Sequence, residues 1–252
     1  MRFVILGAGG FLGKNLFEHL SAGSFSVIGL QRPTLDYTSP LSFANFALQD
    51  GDVLLDCVSR IDGDGEQIRK VNIEGLKNFL GHLHSQNKDF LYIYFSTYST
   101  LLEGYVNTNA YVNSKFQAEN YIREHVKRFK IVRLIFPFGR GENRNRLVSR
   151  LINNFRSGDP VSVERLTLNL TPITQILTNF ERILKHPSAE INFSNDILYF
   201  LPTVAGFIAS ELGVKNGYAV TEKTSVLNVD STVKIEATED EVWKEIASMI
   251  YE

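Results

Sequence analysis

The chain has 252 residues, 44% hydrophobic and 21% charged, with a formal net charge of −2. That balance fits a folded globular protein and offers no basic field for holding nucleic acid. No apolar run approaches the roughly 20 residues of a membrane span. The single cysteine, Cys57, excludes an internal disulfide framework. It suits a reducing compartment, and the opening MRFVILGAGG passes from one Arg into an apolar run and a glycine turn, unlike a secretory leader. The expectation is a cytoplasmic protein.

The first half alternates two periodicities. RFVILG is a short apolar run ended by glycines, and FLGKNLFEHL carries Leu12, Leu16 and Leu20 at helical spacing. SFSVIGL and DVLLDCV are further apolar runs. EQIRKVNIEGLKNFLGHLH places Ile68, Val71, Leu76, Phe79, Leu80 and Leu83 in an amphipathic helical pattern. FLYIYFS suits a fully buried strand, a helix containing Tyr111 follows, and KIVRLIF is another buried strand. Strand and helix in alternation with short linkers predict an α/β domain, a doubly wound parallel sheet of Rossmann-like type, over residues 1–140.

Beyond residue 140 the alternation loosens. NRNRLVSRLINNFRSG reads as a helix closed by Gly158, PVSV as a short strand, and TPITQILTNFERILKH as one helix with Pro172 near its first turn. TEDEVWKEIASMIYE opens with Thr238 and Glu241 in a capping-box arrangement and reads as the terminal helix. Residues 141–252 are expected to form mainly a small α+β substrate lobe, with some elements packing back on the sheet's carboxyl edge, where such folds bind ligands.

The segment GAGGFLG sets Gly7, Gly10 and Gly13 between the first strand and the first helix. The first glycine permits a tight turn, the second lets the backbone approach a pyrophosphate, and the third allows close helix–strand packing. The helix start at Phe11 and Leu12 offers unpaired N–H groups and a partial positive charge. At the end of the second strand, where an acidic residue would hold a ribose 2′-hydroxyl, Gln31 and Arg32 stand instead. Arg32 suits a 2′-phosphate, which favours NADP, with NAD the alternative. A solvated loop charge is the alternative reading of Arg32.

DGDGE at 62–66 hints at a calcium loop but has Gln67 where the sixth-position glycine belongs and Ile73 where the twelfth-position glutamate belongs. The histidines fall in no metal-ligand pattern, and no metal is expected. Arg140, Arg144 and Arg146 either clamp a diphosphate or form a charged face.

GAGGFLG, VNIEGLKNFL, STYST after a buried strand and YVNSK on the next helix occur in an order that resembles the extended short-chain dehydrogenase/reductase family, in particular its NAD(P)-dependent nucleotide-sugar epimerases, dehydratases and reductases. The resemblance covers about residues 1–140. It continues more faintly in RLVSRLINNFRSGDPVSV and LPTVAGFIASELGVK. It implies that Tyr111 moves a proton to or from the sugar, and that Lys115 tunes it and binds the nicotinamide ribose. A phenol is a poor acid or base at neutral pH. An ammonium four residues on, on the same helix face, favours its phenolate. The resemblance implies a hydroxyl at the end of the preceding strand: Thr97, with Ser99 in reserve. It also carries over Asp36 near adenine, Cys57, Val58 and Ser59 along the nicotinamide ribose, Asn72 as a helix brace, and Pro137 and Phe138 at the nicotinamide amide.

The family's dehydratases follow the threonine with Asp-Glu; Tyr98 and Ser99 stand there here, which argues against dehydration. The expected activity is NADP-dependent reduction of a nucleotide-linked 4-keto sugar. A nucleotide-sugar 4-epimerase is the second choice, and a non-catalytic NADP-sensing protein the third. A homodimer is compatible with the resemblance.

Overall fold

A computed structural model of the chain describes residues 1–102, 104–214, 217–233, 235 and 238–251. The chain divides into two compact units, one of Met1–Arg133 with Pro187–Ile191 and one of Leu134–His186 with Asn192–Glu252.

In the first unit the elements are β1 (Arg2–Leu6), α1 (Phe11–Ser21), β2 (Ser26–Leu30), β3 (Asp52–Asp56), α2 (Gly65–Arg69), α3 (Leu76–Ser85), β4 (Phe90–Thr97), α4 (Tyr105–Thr108), α5 (Ala110–His125) and β5 (Phe129–Leu134). The segment 187–191 leads into β9 (Glu190–Phe193), which joins the same sheet in the order β2-β1-β3-β4-β5-β9. The pairings of β1 with β2 and β3, and of β3 with β4, are parallel. Residues of both strand faces are buried: Val4, Leu6, Leu54, Tyr92 and Tyr94 pack with Phe79, Leu80 and Leu83 of α3, while Phe3, Ile5, Leu55 and Ile93 are equally enclosed. Burial on both faces is why these runs are continuously apolar rather than alternating.

The long helical pattern at 66–84 is interrupted by a π-helical turn, Lys70–Gly75, between α2 and α3. That turn changes the phase of the buried face, so Asn72 and Ile73 are both enclosed. Asp64 of the 62–66 segment caps α2, its side chain accepting from the Gln67 N–H.

The second unit contains β6 (Pro137–Phe138), α6 (Leu147–Ser157), β7 (Ser162–Asn169), β8 (Thr171–Pro172), α7 (Ile173–Thr178), α8 (Phe180–Lys185), β10 (Leu198–Phe200), α9 (Leu201–Glu211), β11 (Ala219–Leu227) and α10 (Glu239–Tyr251). A three-stranded sheet β10-β7-β11 packs on α6, α9 and α10 through Leu168, Val204, Ile208, Val242 and Ile246. Gly158 closes α6 in the left-handed conformation, as expected of a helix C-cap. The Glu241 carboxylate accepts from the Thr238 N–H, the reaching-back half of a capping box. The expected single helix over 171–186 is a correction: Thr171 and Pro172 form a strand with β6, and Asn179 separates α7 from α8. The short strand at PVSV extends to Asn169 because β10 and β11 pair along its length.

Candidate active site

The strand order reverses between β1 and β3, and the carboxyl ends of those strands outline the crevice that open α/β sheets use for ligands. The glycine turn sits there. Gly7 has φ +80, and a Cβ on it would come within 3.1 Å of the Val58 N and 3.2 Å of the Cys57 carbonyl carbon. A Cβ on Gly13 would fall 2.2 Å from the Gly7 carbonyl oxygen, so α1 can pack this closely on the turn only through glycine. Gly10 is less confined, its nearest such neighbour being the Gly7 O at 3.4 Å. As the N-cap of α1 it supplies no side-chain cap, and the first turn, with Phe11 and Leu12, has no acidic residue. A tight turn beneath an uncapped helix start fits a pyrophosphate.

Gln31 and Arg32 are exposed just past β2, and a Cβ on Gly9 would meet the Gln31 Oε1 at 2.3 Å, so that amide lies over the glycine turn. The Asp36 carboxylate accepts from the Thr38 N–H at 2.8 Å and the Thr38 Oγ1 at 2.6 Å. These bonds, with Arg32 and Lys70 nearby, hold it below the usual carboxylate range.

Asn109 starts α5 by accepting from the Val112 N–H at 3.1 Å. That cap sets Tyr111 in the first turn and Lys115 in the second. Tyr111 is half-buried, and among the described residues its phenol has no hydrogen-bond partner in the protein. Lys115 is only 2% exposed; its Nζ donates to the Phe95 carbonyl at 2.8 Å and rests 4.3 Å from the Tyr94 ring centroid. The four hydroxyls at the end of β4 divide into two pairs. Ser96 and Thr100 are buried and donate to Glu119 at 2.6 and 3.0 Å. Thr97 and Ser99 are half-buried and lie 3.3 Å from each other. The second pair is available to a ligand; the first is occupied.

Asn72 ties three segments. Its Oδ1 accepts from the Arg60 N–H at 2.8 Å, and its Nδ2 lies 2.9 Å from both the Arg60 carbonyl and the Ser114 Oγ. It therefore links the π-helical turn and the chain after β3 to α5. Asp56, which the sequence reading passed over, ends β3 fully buried. It accepts from the Tyr92 Oη at 2.5 Å and the Val58 N–H at 2.9 Å. Burial pushes its carboxyl up, and the thiol of Cys57 is pushed up by the same cause with Asp56 beside it. Ser59 is exposed. The signal for Asp56 was an acidic residue closing an otherwise apolar run.

Pro137 and Phe138 belong to the second unit, as strand β6 paired with β8. In the same unit Arg140 and Arg144 are exposed, whereas Arg146 lies 3.7 Å from Glu142. Glu142 accepts from the Ser149 Oγ at 3.0 Å, and burial pushes its carboxyl up to about 7. Among the described residues no cluster of His, Cys, Asp and Glu could hold a metal, and no helix is long and apolar enough to cross a membrane.

Fold and turn together define a doubly wound dinucleotide-binding protein. The chain belongs to the NAD dependent epimerase/dehydratase family, whose sequence profile matches residues 3–172. This is a family of NAD(P)-dependent enzymes of the extended short-chain dehydrogenase/reductase type. No curated protein matches the sequence. Among solved structures, RMD from Pseudomonas aeruginosa, complexed with NADPH, is 18% identical, with 99% of this chain and 98% of that one covered at a TM-score of 0.80. The UDP-glucose 4-epimerase of Thermotoga maritima, solved with UDP-glucose, is 13% identical, with 100% and 99% covered at a TM-score of 0.82. The dTDP-4-dehydrorhamnose reductase of Bacillus anthracis, in complex with NADP, is 16% identical, with 99% and 97% covered at a TM-score of 0.73.

Proposed function

We propose that the protein is an NADP-dependent reductase of a nucleotide-linked 4-keto sugar. The observation that carries this reading is the pairing on α5 of a half-buried phenol, without a hydrogen-bond partner among the described residues, with a buried ammonium one turn later. The glycine turn at Gly7, Gly10 and Gly13 and the start of α1 would hold the pyrophosphate, with Arg32 taking the 2′-phosphate and Cys57, Val58 and Ser59 lining the ribose. When bound, the nicotinamide supplies the hydride. Tyr111 then delivers a proton from its Oη to the sugar oxygen, and the Lys115 charge stabilises the phenolate left behind. Thr97, or Ser99 next to it, donates to the same oxygen and fixes its orientation. Tyr98 and Ser99 offer no acid–base pair for eliminating water, and the raised Cys57 thiol is ill suited to act as a base. Hydride and one proton are the chemistry these residues support.

In this reading the first unit holds the cofactor, the second contributes the substrate lobe, and the enzyme works in the cytoplasm. A 4-epimerase would use the same Tyr111, Lys115 and Thr97, and the likeness to the Thermotoga maritima enzyme supports it as the second choice. The two differ in what they do with the cofactor, since an epimerase retains it through turnover. A thermal-shift panel of NADPH, NADH and UDP-, GDP-, CDP- and dTDP-sugars tests the proposal, because ligands of the folded state raise its melting point. NADPH and one sugar-nucleotide class should each stabilise. Purification with tightly held oxidised cofactor would favour the epimerase, and no shift with either cofactor would overturn both.

A further inference from the structure

Glu119 stands two turns beyond Tyr111 and one beyond Lys115 on the same face of α5, and is 1% exposed. Its Oε1 accepts from the Ser96 Oγ at 2.6 Å and the Thr100 Oγ1 at 3.0 Å. Its Oε2 accepts from Arg133 Nη2 at 2.6 Å and Arg123 Nη2 at 3.0 Å. Glu190 completes the set, accepting from Arg133 Nη2 at 2.6 Å and Arg123 Nε at 2.7 Å. The proton transfer described above makes no use of this carboxylate, and both its oxygens are taken. Yet removing a carboxylate from water is costly and is sustained only where partners surround it.

The two hydroxyls Glu119 holds flank Thr97 and Ser99 in sequence. Lys115 grips the Phe95 carbonyl just before them. Helix α5 thus holds the end of β4 at Phe95, Ser96 and Thr100, leaving the Thr97 and Ser99 hydroxyls between the points of attachment. We propose that Glu119 is a positioning residue, which fixes the 97–101 turn so that the Thr97 and Ser99 hydroxyls, bonded only within the turn, keep a constant reach to the Tyr111 phenol. Arg133 and Arg123 keep its charge compensated, with Glu190 bridging the same two arginines, and charge-assisted bonds of this length are the strong ones. The inference rests on the reading of Tyr111 and Thr97 as reacting groups. A displacement of about 1 Å in such a site can cost on the order of a hundredfold in rate.

The test removes the tether in two ways. E119M/R133L deletes the ion pair without stranding a buried arginine, and S96A/T100V deletes only the hydroxyls. Amide exchange is followed without substrate at Ser99 and Leu102, whose N–H groups bond within the turn. Both variants should speed that exchange at least tenfold while β1 amides stay as in the parent. With NADPH and dTDP-4-dehydrorhamnose, or with UDP-glucose for epimerisation, kcat should fall roughly ten- to a hundredfold. KM for NADPH should stay within about twofold, because the tether touches no residue assigned to the cofactor. The quadruple variant should fall well short of the product of the two pairs, since both remove the Glu119 linkage, although T100V also removes the bond from the Thr100 hydroxyl to the Thr97 carbonyl. Unchanged exchange at the turn, or pairs whose effects on kcat multiply, would overturn the proposal. If the parent turns over neither sugar, the sugar nucleotide that stabilises it in the thermal-shift panel takes their place, and if none stabilises it the functional reading fails on its own account and the exchange result alone decides the role of Glu119.

Discussion

The ammonium of Lys115 donates to the main-chain carbonyl of Phe95 at 2.8 Å, two residues before Thr97. One side chain therefore joins α5 to the end of β4 while carrying a positive charge into a region enclosed by Tyr94. Replacing it with Met keeps the length and removes the charge. Lys115→Met should lower kcat by about a hundredfold or more. It should also weaken NADPH binding, measured by quenching of the cofactor's fluorescence. A variant with parental kcat would remove Lys115 from the chemistry.

Two glycines separate the turn's packing from its ligand contact. Gly13→Ala drives a Cβ to 2.2 Å from the Gly7 O and should displace the turn, lowering the melting temperature and weakening NADPH binding at least tenfold. Gly10→Ala meets the same oxygen at 3.4 Å, an ordinary contact. Its stability should stay within about 0.5 kcal/mol of the parent, so any loss of NADPH affinity, read by titration, reports the pyrophosphate contact itself.

The end of β4 shows what the sequence could and could not convey. Four hydroxyls in STYST are equivalent as letters; the fold separates them because Ser96 and Thr100 turn toward Glu119 and Thr97 and Ser99 do not. The glycine turn and the Tyr111–Lys115 spacing were legible because each depends on local geometry, a strand–helix junction and one helical repeat. Glu119 and Arg133 were not, since their burial follows from partners brought together by the fold, and Asp56 left only the trace of an acidic residue at the end of an apolar run. The π-helical turn at 70–75 lay hidden in a pattern that reads as one α-helix. Strand β11 escaped because its Thr, Glu and Lys residues lie at the edge of a small sheet, where half-exposed positions carry little periodic signal.

Thr97→Val and Ser99→Ala decide which hydroxyl serves the reacting oxygen. Thr97→Val should lower kcat by roughly ten- to a hundredfold with little change in stability, as expected for a single positioned donor. Ser99→Ala should stay within about threefold of the parent. Initial rates of NADPH oxidation settle the assignment, and the opposite ranking would transfer the role to Ser99.

Glu142 predicts a pH dependence in the second unit. Burial raises its carboxyl to about 7 from an ordinary 4.5. The folded protein therefore binds the proton more tightly than the unfolded chain, and the protonated form's contribution is complete below 4.5 and lost as pH rises through 7. The difference amounts to at most about 3 kcal/mol. Glu142→Gln, which keeps an acceptor for Ser149, should be close to neutral at pH 4.5. At pH 8 it should be stabilising by up to about 3 kcal/mol in urea denaturation. Equal effects at both pH values would show that the carboxyl titrates normally.

On the proposed reading the Tyr111 phenol carries the proton of a hydride-transfer reaction. Steady-state turnover of Tyr111→Phe, with NADPH and the sugar nucleotide that stabilises the parent, tests it most directly. Loss of kcat by a thousandfold or thereabouts, with NADPH affinity and melting temperature close to the parent's, is the predicted result. Turnover at the parental rate would contradict it.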